Sequence, residues 1–108
     1  ERSVDYPDYA DKLANGLLTA EPNTYGVLIC GSGIGISIAA NRYKHIRAAL
    51  CRSALDAQFA RKHNDANVLV LGGRITNEKT AVMILDLFIN TQYEGGRHVK
   101  RVEKLGKY

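Results

Sequence analysis

Apolar residues recur along this chain in two alternating rhythms. Short, nearly continuous apolar runs stand at residues 25–30, 47–51 and 66–71, and glycine or polar residues close each of them. Between the runs, apolar positions fall at helical spacing instead. Tyr9, Leu13, Leu17 and Ala20 predict an amphipathic helix over 8–19, ended by Glu21-Pro22-Asn23. Residues 34–43 read as a short helix. Ser53 is a good N-cap for a helix running to Lys62, with Leu55, Phe59 and Ala60 facing inward. Asn77 caps a longer helix whose Ala81, Ile84, Leu85 and Phe88 share a face, and Glu94-Gly95-Gly96 separates it from a last helix over 97–105. Strands alternating with helices through short loops predict an α/β fold, a doubly wound parallel sheet with its sites at the strand carboxyl ends. The run at 25–30 is expected to be a buried strand. Three short strands make a meagre sheet, however, so an edge is expected to need either a partner or further strands.

Composition narrows the class. The 108 residues are expected to belong to a single domain, 1–108, incomplete at its N-terminal side, and their 45% hydrophobic and 24% charged content is that of ordinary globular proteins. No apolar run approaches the roughly 20 residues of a membrane helix, and no signal-peptide pattern is present, so no membrane partner is expected. Cys30 and Cys51 both end apolar runs, which suits reduced thiols and a cytoplasmic protein. The net charge is +4, and Arg97, Lys100, Arg101, Lys104 and Lys107 crowd the last residues. Such a cluster is either a solvated basic face or a site for an anion. Aromatic residues are not interleaved with it and no nucleic-acid motif accompanies it, so nucleic acid is not expected as a partner. No Cys/His spacing resembles a zinc site, and neither metal nor cofactor is expected.

The candidate chemistry lies at Cys30-Gly31-Ser32-Gly33-Ile34-Gly35, where a strand meets a glycine turn and a helix N-terminus. Backbone N–H groups there lack helical partners and form a nest for negative charge. A P-loop would need Gly-Lys-Ser/Thr, and no lysine is near. A dinucleotide fingerprint would need glycine where Ile36 stands and an acid where Cys51-Arg52 stands. Both nucleotide readings fail. Cys30 occupies an electropositive position that favours a thiolate, although a small core residue is the commoner fate of cysteine. Ser32 could cap the helix or hydrogen-bond a reacting oxygen. His63-Asn64 stands in a loop, as a candidate general acid or a surface pair. Arg97 and Arg101 are four residues apart on the last predicted helix, where like charges repel unless an anion lies between them. Together these groups point to acid/base work on a phosphorylated small molecule.

Five segments carry a family likeness: Asp5-Tyr6-Pro7, Cys30 to Asn41, His63-Asn64-Asp65, Gly73-Arg74 and Gln92 to His98. In this order and spacing, over essentially all of the chain, they resemble ribose-5-phosphate isomerase type B, of the family that also holds galactose-6-phosphate isomerase subunits. The resemblance implies a Rossmann-like, three-layer α/β/α fold. It also implies aldose–ketose isomerisation of a sugar phosphate through a cis-enediolate, without metal or cofactor, ribose 5-phosphate being the first candidate substrate and a hexose 6-phosphate the alternative. A non-catalytic phosphate- or nucleotide-binding module is the competing class. By the same resemblance Cys30 is the base and Ser32 assists it. Gly31, Ser32, Gly33, Ile34 and Gly35 surround the enediolate, and His63 opens the sugar ring. Asn64, Arg74 and Tyr6 contact substrate, while Arg97 and Arg101 hold phosphate in a neighbouring subunit's site, so a homodimer or tetramer is implied. Some members carry a glutamate in the glycine loop; Ile34-Gly35-Ile36 makes this chain the cysteine type. Members of the family begin with a strand ending in Asp-His, then a helix and a further strand, none of which is in this sequence. A chain without that unit is expected to be poorly soluble and weakly active.

Overall fold

The structure, a computed structural model, describes residues 5–107. The elements in order are α1 (Tyr6–Leu18), β1 (Gly26–Cys30), α2 (Ile34–Ala40), β2 (Ala48–Leu50), α3 (Ala54–Lys62), β3 (Val68–Gly72), α4 (Glu78–Asn90), a 3-10 turn (Gly96–His98) and α5 (Val99–Leu105). Among the described residues the three strands form one sheet in the order β1-β3-β2. Both pairings are parallel: Gly26 lies opposite Val68 and Cys30 opposite Gly72, while Ala48 lies opposite Val68 on the other side.

The pleat of β3 sends alternate residues into two cores. Val68 and Val70 pack with Leu28 of β1, Ala10 and Ala14 of α1, and Ile36 and Ala40 of α2. Leu69 and Leu71 face the opposite way, onto Ala57 and Ala60 of α3 and Ile84 and Phe88 of α4. Helices on both faces of a parallel sheet make the expected three-layer α/β/α arrangement. Local chemistry sets the helix starts. The Ser53 hydroxyl accepts from the Asp56 N–H at 3.2 Å, and Asn77 Oδ1 accepts from the Thr80 N–H at 2.9 Å.

Three expectations change. The strand at 25–30 is covered on one face only: Val27 and Ile29 are 41% and 62% exposed, because α3 and α4 reach β2 and β3 but not the β1 edge. Leu55 and Phe59 of α3 and Tyr9 of α1 point outward rather than in. Both helices lie close to the sheet, and closeness selects the alanines of each helix for the contact face. The helix from Ile34 stops at Ala40 rather than at residue 43, because the Asn41 side chain turns away to clamp both backbone groups of Ala48 at 2.8 and 3.0 Å.

Arg61 is the one buried arginine of α3. Its guanidinium donates to the Thr91 carbonyl (3.2 Å), the Ala66 carbonyl (2.7 Å) and Asp65 Oδ1 (2.9 Å), and it stacks over Tyr25. It ties the loops before β3 and after α4 together. Arg61→Ala strands the two buried carbonyls and should cost about 2–4 kcal/mol. Urea unfolding measures this. A midpoint unchanged from wild type would mean that water replaces the guanidinium without loss.

Candidate active site

Two groups of predicted site residues gather at opposite ends of the sheet. At the carboxyl end of β1, the turn from Cys30 to Ile34 is pinned against the turn after β3. The Gly73 N–H donates to the Cys30 carbonyl at 2.7 Å and the Arg74 N–H to the Gly31 carbonyl at 2.9 Å. The approach is so close that a Cβ on Gly72 would lie 2.5 Å from the Ser32 carbonyl oxygen. Gly33 reverses the chain at φ +81°, a left-handed conformation that glycine adopts without strain. The Ser32 hydroxyl accepts from the Ile34 N–H at 3.2 Å, which caps the turn and leaves its own proton free to donate. The first-turn N–H groups of α2 have no helical acceptors and face this same corner.

The corner has walls. Tyr6 sits so close that a Cβ on Gly35 would meet its ring at 2.7 Å, and the Arg74 side chain lies against Gly31. Cys30 is half-buried and lines a cleft of about 360 Å³ with Tyr6, Tyr9, Val27 and Ile29, opening over the uncovered side of β1. Cys30, Gly31, Ser32, Gly33, Ile34, Gly35, Tyr6 and Arg74 are therefore neighbours. Cys51 differs from Cys30 throughout. It is buried, and desolvation with Asp56 nearby pushes its thiol up to about 12, so it remains a protonated core residue.

His63, Asn64 and Arg97 stand elsewhere. His63 caps the carboxyl end of α3, just before β3 begins at Val68, whereas the Cys30 corner adjoins Gly72 at the other end of that strand. Four residues of strand place the two ends at least about 13 Å apart. The loop carrying His63 is held by Asp65, at φ +47°, whose carbonyl accepts from Arg47 Nε at 2.7 Å and whose carboxylate takes Arg61. His63 lies between two rings: Phe59 stacks on it at 4.9 Å and His98 at 4.4 Å between centroids. Glu94 Oε1 is 3.5 Å from His63 Nε2 and 3.8 Å from His98 Nε2. Asn64 is exposed, with its amide 3.4 Å from the Phe59 carbonyl. Arg97 belongs to the 3-10 turn and Arg101 to α5, so the pair does not share one regular helix; both side chains are exposed. No residue of α5 is buried.

Sequence reasoning missed His98 and Glu94 as members of this group. His98 is 8% exposed. Burial first, then His63, Arg97 and Arg101, hold its imidazole below the ordinary histidine range, with Glu94 opposing. Folding thus favours neutral His98, so the unfolded chain binds more protons near and below about pH 6.5. Stability from this group is complete above that pH and is lost as pH falls. Thermal melts between about pH 7.5 and 5.5 should show a declining Tm, with a shallower slope in His98→Gln. Equal slopes would remove His98 as the cause.

A thiol, a hydroxyl and helix-terminal N–H groups thus stand at the end of a parallel strand, with an imidazole and two arginines grouped apart. The chain belongs to the Ribose/Galactose Isomerase family, whose match covers residues 1–105. It is 48% identical over 102 residues to the ribose-5-phosphate isomerase B of Escherichia coli strain K12, an overlap of 94% of this chain and 68% of that protein. The crystal structure of a ribose 5-phosphate isomerase from Thermotoga maritima superposes with a TM-score of 0.95 at 50% identity, covering 100% of this chain and 74% of that one. The type B ribose 5-phosphate isomerase of Trypanosoma brucei follows with a TM-score of 0.92 at 48% identity, over 98% and 71%. The chain spans 68% to 74% of the length of these relatives.

Proposed function

We propose that this protein interconverts ribose 5-phosphate and ribulose 5-phosphate, with Cys30 moving the proton and His63 opening the ring. The observation that carries the reading is the Cys30–Gly35 turn, where a half-buried thiol adjoins the start of α2, whose first N–H groups have no acceptor within the helix. Removing the proton from C2 of an open-chain aldose leaves negative charge on the C1 oxygen. Donors fixed in advance around that oxygen stabilise it by several kcal/mol, since they need not reorient as charge appears. The Cys30 thiolate takes the C2 proton and returns it to C1, while the Ser32 hydroxyl, free to donate, attends the oxygens.

The separation of His63 from Cys30 fits a site shared between two copies. One copy would supply Cys30, Ser32, Tyr6 and Arg74, and the other His63 and Asn64 with Arg97 and Arg101 for the phosphate. Planar guanidinium forks suit a phosphate dianion, and phosphate held at one end orients the small sugar at the other. Exposed apolar residues on α3 and α4 (Leu55, Phe59, Val82, Met83) and the unburied α5 favour such an association. The test is conversion of ribose 5-phosphate followed by ketose formation, with chelator present. Turnover that requires added metal, or phosphate binding without turnover, would overturn the reading.

A further inference from the structure

His63 is held more closely than a surface loop requires. Phe59 stacks on it at 4.9 Å and His98 at 4.4 Å between centroids, so its ring cannot tilt without breaking a stack. Two freedoms remain: a half-turn about the Cβ–Cγ bond, which exchanges nitrogen for carbon along the ring edge, and a proton shift between the nitrogens. Glu94 acts on both. Its Oε1 is 3.5 Å from His63 Nε2 and 3.8 Å from His98 Nε2, and among the described residues these imidazoles are its only ion-pair partners. The backbone sets this placement. The Glu94 N–H donates to the Lys62 carbonyl at 3.0 Å, immediately before His63. Gly95 and Gly96 then turn the chain back at φ +70° and +55°, left-handed values that glycine takes without strain, and His98 reaches the same ring. The His63 side chain stays 34% exposed, so part of its edge is open to a ligand.

We infer that Glu94 is a positioning residue for ring opening: its carboxylate holds His63 Nε2 as the protonated nitrogen and leaves Nδ1 for the sugar. A neutral imidazole carries one N–H, and the hydrogen bond made by one nitrogen decides the state of the other. Catalytic hydrogen bonds commonly tighten only when substrate binds, and 3.5 Å is a small side-chain rotation from the roughly 2.7–3.2 Å of a formed bond. The inference rests on the role given to His63 above. With Nε2 committed to Glu94, Nδ1 takes the proton of the anomeric hydroxyl O1. The C1–O4 bond breaks as C1=O1 forms, and the same proton passes to O4, so none is gained or lost. His98 completes the seat. Burial, with His63, Arg97 and Arg101 nearby, holds its imidazole below the ordinary histidine range. It therefore stacks as a neutral ring and adds no charge against the imidazolium that forms on His63.

The experiment is a double-mutant cycle on the full chain. Glu94→Ala removes a carboxylate whose side chain is 53% exposed, so the urea midpoint should stay near that of wild type. In that variant kcat/KM for ribose 5-phosphate should fall at least about tenfold, yet the same change should cost nothing further in a His63→Gln background. Erythrose 4-phosphate supplies a second readout. Its O4 carries the phosphate, so it has no furanose ring to open. The ratio of its kcat/KM to that of ribose 5-phosphate should rise at least about tenfold in Glu94→Ala. A loss that adds to that of His63→Gln, a loss equal on both substrates, or wild-type kinetics in Glu94→Ala overturns the inference. Undiminished turnover of ribose 5-phosphate in His63→Gln overturns the role of His63 and this inference with it. An impaired His63→Gln beside an unimpaired Glu94→Ala overturns the inference alone.

Discussion

Replacing Cys30 by alanine is expected to lower kcat by about 10²–10⁴-fold with little change in KM. In the proposed mechanism the thiol acts on the carbon acid while arginines and N–H groups elsewhere carry binding, so its removal would be felt in the transition state rather than in substrate affinity. The fold should be changed only slightly, because Cys30 is half-buried at a cleft and packs at the margin of the first core. Cys51→Ala provides the contrast. Its thiol is buried and protonated, so the loss should appear in stability and not in kcat. Steady-state kinetics with both variants, alongside their melting curves, separates the two cysteines. Undiminished kcat in Cys30→Ala would transfer the base to another group.

The contrast between the cysteines also marks how far the sequence can be read. Both end apolar runs, and only the fold tells them apart: Cys30 opens onto a glycine turn, Cys51 lies under α3. β3 is legible because two covered faces demand an unbroken apolar run, and Ser53 and Asn77 are legible because capping is chemistry within a few residues. The inward face of α3 is not legible from size alone. Leu55 and Phe59 invite the reading, yet the tight approach to the sheet admits Ala57 and Ala60 and sends the large side chains to the surface. Arg61 hides for a related reason, since its three acceptors come from segments far along the chain. The glycine turn is readable as a site because its donors, thiol and hydroxyl are consecutive. The His63 group is not, because Glu94 and His98 reach it only through the turn that docks Glu94 on Lys62.

Mixing two inactive proteins is expected to restore activity, and this is the sharpest consequence of the site proposed to be shared between two copies. Cys30→Ala retains His63, and His63→Gln retains Cys30. If each reaction centre drew both groups from one chain, no mixture could contain an intact centre. If each centre draws Cys30 from one copy and His63 from another, a mixed dimer contains one centre with both groups intact and one with neither. Random exchange of equal amounts makes half of the dimers mixed, so about one quarter of wild-type activity should return. Recovery should follow the time course of subunit exchange and should be absent when either variant is assayed alone. Arg101→Ala sharpens the assignment, because α5 carries Arg101 on the same side of the division as His63. It should complement Cys30→Ala and fail to complement His63→Gln. Recovery in neither mixture, with exchange verified by mass, would return the whole site to a single chain and require β3 to be bridged some other way. The length of β3, about 13 Å, makes that the harder arrangement, since the proposed five-carbon phosphate would then have to span the strand rather than sit across an interface.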